Sequence, residues 1–125
     1  MPLLRRKKRV LLLDDDLSMQ RLVAKILKSE GFRVDVFLTG REAIAAAARD
    51  NYDVLLLDLM MPHEGGMTVI RHLRENNPAL LTRAILFTGT SEAVIESMAR
   101  DVRVVLQKPF EPEQLIQVVR DVSAQ

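Results

Sequence analysis

Cysteine and tryptophan are absent from this 125-residue sequence, and its aromatic residues are four phenylalanines and one tyrosine. Without cysteine the chain can form neither disulfides nor thiolate metal sites, and a reducing compartment is permitted. No apolar run approaches the length that spans a bilayer, and the basic N-terminus lacks the apolar stretch of a signal peptide. We therefore expect a soluble domain in the cytoplasm.

An excess of charge of one sign is also missing. Lysine and arginine number 18 against 17 acidic residues, a net charge of +1, which gives no overall attraction to nucleic acid or to acidic membranes. The one charge run, Arg5 to Arg9, is interpreted as a solvated lead-in over residues 1–8 to the first strand. Contact with nucleic acid or an anionic surface is the less favoured interpretation of this run.

Short apolar runs are the main regular feature of the chain. The run Val54–Leu57 is too short for a helix and is typical of a strand buried on both faces. It ends on Asp58, and Pro62 excludes any continuation of regular structure. The same pattern predicts five strands, over Val10–Leu13, Val34–Phe37, Val54–Leu57, Ala84–Phe87 and Val102–Leu106.

Amphipathic stretches separate these strands. We expect Ser18 to cap the first helix and Gly31 to close it, and Thr39 with Glu42 to form a capping box for the second. Further helices are predicted after Gly66, over Ser91–Ala99 and from Pro112. Five alternations indicate one α/β domain with a doubly wound parallel sheet of flavodoxin-like order 2-1-3-4-5.

Polar residues follow four of the predicted strands: Asp14–Asp16, Asp58, Thr88 and Lys108. The carboxyl ends of parallel strands lie together, so these side chains are expected to share one crevice. Clustered carboxylates call for a cation, and hard oxygen ligands select Mg²⁺. A hydroxyl and an ammonium group suit phosphoryl oxygens. The pattern predicts Mg²⁺-assisted phosphoryl transfer to or from a carboxylate.

Four motifs carry a family resemblance: the acidic pair after the first strand, Asp58-Leu-Met-Met-Pro62 followed by Gly66, Thr88-Gly89, and Lys108-Pro109-Phe110. Over essentially the whole chain, the sequence resembles the receiver (CheY-like) domains of bacterial two-component response regulators. The resemblance implies that Asp58 accepts a phosphoryl group from the phosphohistidine of a sensor kinase. It further implies that Thr88 and Lys108 hold the phosphoryl oxygens, and that the Lys108–Pro109 peptide bond is cis.

The same resemblance implies a magnesium site. Asp15 and Asp58 would bind Mg²⁺ directly, together with the backbone carbonyl of Met60. Asp14 would act largely through water. The protein would then be a signalling switch that catalyses only its own phosphorylation and slow dephosphorylation.

Partners are also implied by the resemblance. A sensor histidine kinase or phosphotransfer protein would dock on the first helix near Met19 and Leu22. An output domain or a second copy of the chain would use the face of the fourth and fifth predicted helices and the fifth strand. No membrane partner is expected, and nucleic acid would be reached only through an output domain outside this sequence. The chain could be a stand-alone regulator or part of a longer protein.

Two departures from the family pattern concern the fifth strand. Val105 stands where receivers usually have Tyr or Phe, and Arg100–Arg103 replaces the usual Gly-Ala. We therefore hypothesise that the face around the fifth strand signals by a different or weaker switch than is usual.

Two alternatives remain open at the level of sequence. Asp14-Asp15-Asp16-Leu17-Ser18 fits the D-x-D-x-[ST] pattern of haloacid-dehalogenase-like phosphatases, in which Asp14 would be the nucleophile. That interpretation leaves Asp58 without a purpose. A degenerate receiver acting only as a binding module is the second alternative.

Overall fold

The computed structural model describes residues 6–59, 61, 65–89, 102 and 104–124. Within these ranges the strands are β1 Arg9–Leu13, β2 Arg33–Phe37, β3 Val54–Asp58, β4 Ala84–Thr88 and β5 Val104–Gln107. The helices are α1 Leu17–Ser29, α2 Gly40–Arg49, α3 Gly66–Asn76, a 3₁₀ helix Pro78–Arg83 and the C-terminal helix Pro112–Ser123. No helix in these ranges is long and apolar enough to cross a membrane. The predicted helix Ser91–Ala99 lies outside the described residues.

The five strands form one parallel sheet in the order β2-β1-β3-β4-β5. β1 pairs with both β2 and β3, so that Val10 lies between Val34 and Val54. The predicted α/β architecture and strand order are therefore confirmed. A reversal of strand order between β1 and β3 opens a crevice at the carboxyl ends of these strands, where ligands bind in such sheets.

Both faces of the sheet are buried. Alternating residues of β3 enter two separate cores: Leu56 packs in one with α1 and the C-terminal helix, whereas Leu55 and Leu57 pack in the other with α2 and α3. This division follows from the twofold alternation of side chains along a strand. It explains why β3 is continuously apolar, and it holds the end of β3 rigidly in place.

The predicted helix boundaries are confirmed at two points and wrong at one. Thr39 caps α2, since its hydroxyl accepts from Glu42 N at 3.2 Å, and Gly31 follows α1 with φ 91°, a conformation that favours glycine. The cap of α1, however, is Asp16 rather than Ser18. The Asp16 side chain accepts from the backbone N–H groups of Ser18 and Met19, at 3.0 and 3.1 Å. Ser18 is already inside the first turn, where it cannot act as the cap.

The start of the fifth strand also differs from the prediction. β5 begins at Val104, which pairs with Ile85, whereas Val102 lies outside the strand. By this register, the position opposite Val102 is Arg83, the last residue of the 3₁₀ helix. Because a 3₁₀ helix offers no ladder of free backbone groups, Val102 has no strand to pair with. Val102 is nevertheless buried in the second core.

Candidate functional site at the carboxyl edge of the sheet

Asp58 is the last residue of β3 and is almost completely buried. Its backbone is held on two sides. In the neighbouring strand, Phe87 is its register partner, and the Phe87 carbonyl accepts from Leu59 N at 3.2 Å. On the other side lies Gly66, where an added Cβ would come within 2.7 Å of the Asp58 carbonyl oxygen. This close approach requires glycine at the start of α3 and fixes where the carboxylate begins.

Asp14 and Asp15 follow β1 and join Asp58 in one cluster. The three side chains each offer a carboxylate oxygen, and these oxygens lie within 4.8 Å of one another. Asp14 is fully buried, whereas Asp15 is exposed. Three acids at this spacing repel one another unless a proton or a cation intervenes. The sequence prediction that these side chains converge is confirmed.

The electrostatic cost of the cluster is concentrated on Asp14. Its Oδ1 accepts from Asp16 N at 2.9 Å, but its buried Oδ2 has no hydrogen-bond partner among the described residues. Burial raises the pKa of the Asp14 carboxyl to about 6, and the nearby charge of Asp58 acts in the same direction. The Asp16 N–H and the Lys108 ammonium oppose this rise in pKa only in part.

This donor set fits a hard divalent cation. Mg²⁺ takes oxygen ligands, usually one or two carboxylates with the remaining positions filled by water or phosphate oxygens. Asp14, Asp15 and Asp58 supply such oxygens, and the orphaned Oδ2 of Asp14 is the kind of atom that a cation or its bound water would satisfy. Met60, whose backbone carbonyl is the further ligand implied by the resemblance, lies outside the described residues.

Lys108 provides the positive charge in the described part of the cluster. Its Nζ lies 3.7 Å from Asp58 Oδ2 and 4.7 Å from the centroid of the Phe87 ring. An ammonium over an aromatic face is attracted by the electrons of the ring, so the Phe87 ring helps to hold the Lys108 ammonium in place. The Lys108–Pro109 peptide bond is cis, as the resemblance implies. Sequence reasoning did not identify Phe87, because it appears there only as one apolar residue of a buried strand.

Thr88 completes the set of predicted strand-end residues. It is the last residue of β4, it is fully buried, and its register partner is Gln107 in β5. The Thr88 carbonyl accepts from Lys108 N at 2.8 Å, which joins the ends of the two strands. Asp16 is the exception among the strand-end acids, because its side chain caps α1.

Helix α1, on which docking is expected, leaves apolar side chains exposed. Leu17 and Leu22 of α1 and Leu38 after β2 are the large apolar side chains that the described residues leave exposed. Met19, by contrast, is half-buried against the first core. Val105 of β5 is half-buried against the second core. Part of the face on which Val105 was expected to matter lies outside the described residues.

Comparison with known proteins gives a consistent picture. Residues 10–120 match the family model described as "Response regulator receiver domain". The DNA-binding response regulator MtrA of Mycobacterium tuberculosis is 34% identical over 116 residues, which cover 91% of this chain and 50% of MtrA. The chain therefore spans about half the length of this relative.

Solved structures agree on the fold. The receiver domain of the Francisella response regulator 1452 superposes with a TM-score of 0.83 at 28% identity, over 94% of this chain and 98% of that one. The receiver domain of the sensor histidine kinase PA1611 from Pseudomonas aeruginosa was solved with a magnesium ion in its active site cleft. It superposes with a TM-score of 0.84 at 23% identity, over 96% of this chain and all of that one.

Proposed function

This chain belongs to the response regulator receiver domain family, and on that premise we propose that it is a phosphorylatable switch of two-component signalling with Asp58 as the phosphoacceptor. The observation that carries the proposal is the placement of Asp58. Its carboxylate is buried at a strand end, within 4.8 Å of two further carboxylates and 3.7 Å from the Lys108 ammonium. Three carboxylates this close together, two of them buried, are costly for the fold, and strongly perturbed charges of this kind are typical of functional sites.

The proposed reaction is an in-line phosphoryl transfer. An oxygen of Asp58 attacks the phosphorus of a phosphohistidine on the kinase, a P–O bond forms, the P–N bond breaks, and the imidazole nitrogen leaves. Lys108 offsets the negative charge beside Asp58 and donates to a phosphoryl oxygen. Thr88, at the end of the adjacent strand, supplies a hydroxyl for a second oxygen.

Asp14, Asp15 and Asp58 would hold Mg²⁺, which supplies positive charge to the transferred phosphoryl group when bound. The fixed backbone around Asp58 serves the same purpose, because a charge site that is already organised loses nothing to reorganisation during transfer. Slow hydrolysis of the acyl phosphate, with water as the attacking group, would reset the protein. We propose a switch rather than a metabolic enzyme on this basis.

Partners follow from the same placement. The exposed apolar side chains of α1, Leu17 and Leu22, lie on the helix that starts beside the acidic cluster. We propose that a histidine kinase or phosphotransfer protein docks there in the cytoplasm. Phosphorylation would change affinity for an output domain, whether attached or separate. MtrA, about twice as long as this chain, is named a DNA-binding regulator, which supports an output of that kind.

The test is phosphorylation by a small phosphodonor. We expect incubation with acetyl phosphate and Mg²⁺ to add one phosphoryl group, which peptide mapping places on Asp58. EDTA or Asp58→Asn should abolish the gain in mass. Asp16→Asn is the matched control, because it removes a nearby acid that caps α1 and lies outside the cluster. This variant should still be phosphorylated.

Two other outcomes would contradict the proposal. Phosphate on Asp14 with rapid turnover would indicate the phosphatase mechanism. No incorporation in the folded wild-type protein, with Mg²⁺ present, would leave a binding module.

A further inference from the structure

The amino edge of the sheet, where the strands begin, carries a second charged feature. Two adjoining cavities of about 590 and 390 Å³ open there, and both are lined by Lys7 and Arg33. We call the two cavities together the basic trough. The cationic residues that line it are Arg6, Lys7, Arg9, Lys28, Arg33 and Arg49.

The backbone holds this surface in place. Arg33 N donates to the Lys8 carbonyl at 2.9 Å, which holds the segment before β1 against the start of β2. Arg9 N donates to Asp53 Oδ2 at 2.8 Å, which ties the start of β1 to the residue before β3. The trough is thus part of the folded sheet, although Lys7 precedes the first strand.

Carboxylates neutralise only half of the positive charge. Three acids are within reach, and each is already bound by arginine: Arg9 contacts Asp35 at 3.1 Å and Asp50 at 3.9 Å, and Arg6 contacts Asp53 at 3.3 Å. Six cations against three carboxylates leave an excess of three positive charges. Among the described residues, no carboxylate lies within 4.0 Å of the Lys7, Lys28 or Arg33 side chain.

Part of this excess has a structural explanation. Lys28 and Arg49 lie in the last turns of α1 and α2, where free carbonyl groups favour cations. Lys7 and Arg33 do not belong to any helix, both are exposed, and both line each of the two cavities. Like charges that share one cavity repel, and an anion bound there would relieve this repulsion.

We propose that the basic trough binds an oligophosphate, meaning a chain of two or more phosphate groups, either inorganic or carried by a nucleotide. Guanidinium and ammonium groups are the usual donors to phosphate oxygens, and two adjoining cavities sharing one cationic pair suit an extended anion better than a single phosphate. The larger cavity has the volume of a small-molecule site.

Other polyanions fit this surface less well. Single-stranded nucleic acid is bound by stacking on exposed aromatic rings, but the two aromatic residues nearest the trough, Phe32 and Tyr52, are 7% and 3% exposed. A membrane surface calls for exposed apolar residues beside the basic ones. In the described chain, Leu17, Leu22 and Leu38 are the large apolar residues left exposed, and they lie towards the carboxyl edge.

The basic trough is separate from the acidic cluster. Arg9 and Asp14 lie at opposite ends of β1, five residues apart, which in an extended strand is roughly 16 Å. Oligophosphate binding can therefore fail while phosphorylation of Asp58 succeeds, and the reverse.

The experiment is a titration with tripolyphosphate, followed by calorimetry and by amide chemical shifts, in EDTA so that Mg²⁺ bridging is excluded. We expect saturable binding with shifts centred on Lys7 and Arg33. The variant K7A/R33A should bind about tenfold more weakly or worse, since two charge-assisted contacts are lost. The matched control is R21A/K25A, which removes the same charge from exposed positions of α1 outside the trough and should change affinity by less than about twofold.

Further arms identify the source of the phosphate chain. Equal affinities for ATP and tripolyphosphate would support recognition of the phosphates alone. A higher affinity for ATP would support a nucleotide ligand. Equal weakening by both double variants, or no saturable binding at millimolar tripolyphosphate, would overturn the proposal. So would tighter binding of duplex DNA at equal phosphate concentration, which would assign the trough to nucleic acid. Circular dichroism melts should show that both double variants remain folded.

Discussion

The two edges of this sheet differ in how far their charged side chains are paired with opposite charges. At the carboxyl edge, three carboxylates crowd together with one lysine beside them, and a buried oxygen of Asp14 is left without a hydrogen bond in the described structure. At the amino edge, arginine contacts every nearby carboxylate, and the surplus charge is positive and exposed. At the carboxyl edge, like charges that Lys108 offsets only in part coincide with the proposed chemistry, whereas the carboxylates of the amino edge contribute to the fold.

Two aspartates show the difference most clearly. Burial acts against the charged form of both Asp14 and Asp35. For Asp14 burial prevails, and its pKa rises to about 6. For Asp35, hydrogen bonds from Tyr52 at 2.8 Å and from Arg9 at 3.1 Å outweigh burial, and the pKa falls below its ordinary value. Asp14 is fully buried, whereas the Asp35 side chain is 31% exposed, so depth and hydrogen-bond partners together decide whether a carboxylate's charge stabilises the fold.

The largest expected effect comes from the backbone contact beneath the acidic cluster. Gly66→Ala would place a Cβ 2.7 Å from the Asp58 carbonyl oxygen, so we expect a loss of about 3 kcal/mol in the free energy of unfolding. Urea denaturation in EDTA measures this loss. Gly89→Ala is the control, because nothing lies within 4 Å of the added Cβ, and it should cost less than about 1 kcal/mol. Equal stability of the two variants would show that the contact beside Asp58 is not tight.

The same substitution made at the two edges should have effects of opposite sign. At the amino edge, Asp35→Asn removes the charge partner of Arg9, whose side chain is 19% exposed. We expect the free energy of unfolding at neutral pH to fall by about 2 kcal/mol, since a mostly buried cation loses its nearer counterion and keeps the more distant Asp50 at 3.9 Å. Chemical denaturation checks this value. An unchanged stability would mean that Arg9 is solvated well enough without Asp35.

At the carboxyl edge, Asp14→Asn relieves repulsion. We expect the free energy of unfolding in EDTA at pH 7.5 to rise by about 1 to 2 kcal/mol. This gain is smaller than the free energy that corresponds to the rise in the pKa of Asp14 from its ordinary value. Stabilisation by added Mg²⁺ should shrink in this variant, because one carboxylate of the cluster is lost. Thermal melts with and without Mg²⁺ test both effects. Destabilisation in EDTA would show that Asp14 contributes to the fold as Asp35 does.

The smallest expected effect is a dependence on pH. A carboxyl whose folded pKa is raised binds its proton more tightly in the folded state, so Asp14 should add stability as pH falls from about 7 towards 4 in EDTA. Asp35, with a lowered pKa, stabilises the fold above its ordinary value of 3.8 and loses this contribution as pH falls further. The gain from pH 7 to pH 5 should be about 1 kcal/mol in the wild type.

Asp14→Asn provides the control for that profile. Comparison of wild type and variant by urea denaturation at each pH isolates the contribution of Asp14 from that of the other titrating groups. Parallel profiles for the two proteins would contradict the assignment of the pH effect to Asp14.

The fold and most of the acidic cluster could be predicted because their signals are local. Apolar runs such as Val54–Leu57 indicate strands, strict alternation with helices determines the parallel topology, and that topology brings the residues after each strand together. The sequence therefore predicts that Asp58 and Lys108 are neighbours. The prediction of the α1 cap is wrong because Asp16 and Ser18 lie only two residues apart and both are good capping residues. The local sequence does not show which of them the helix uses.

Other features depend on contacts between segments that are distant in the chain. The start of β5 depended on where the neighbouring strand begins, and the need for glycine at position 66 depended on how closely α3 approaches Asp58. The basic trough was missed for the same reason. In the sequence, Arg33 and Arg49 are isolated cations, and the charge run before β1 is typical of a solvated lead-in.

By itself, the sequence determined the layered sheet, the order of its strands and the chemical types gathered at the carboxyl edge, because burial periodicity and chain connectivity are sufficient to specify them. Only the tertiary structure decided which charges are neutralised. Asp14 directly follows β1 and Asp35 lies within β2, and nothing in the residue type shows which of the two carboxylates is neutralised. The pKa of Asp14 rises mainly because its carboxyl is fully buried, and the charge of Asp58 adds to the rise. The pKa of Asp35 falls because Tyr52 and Arg9, brought from other segments of the chain, donate hydrogen bonds that outweigh its burial.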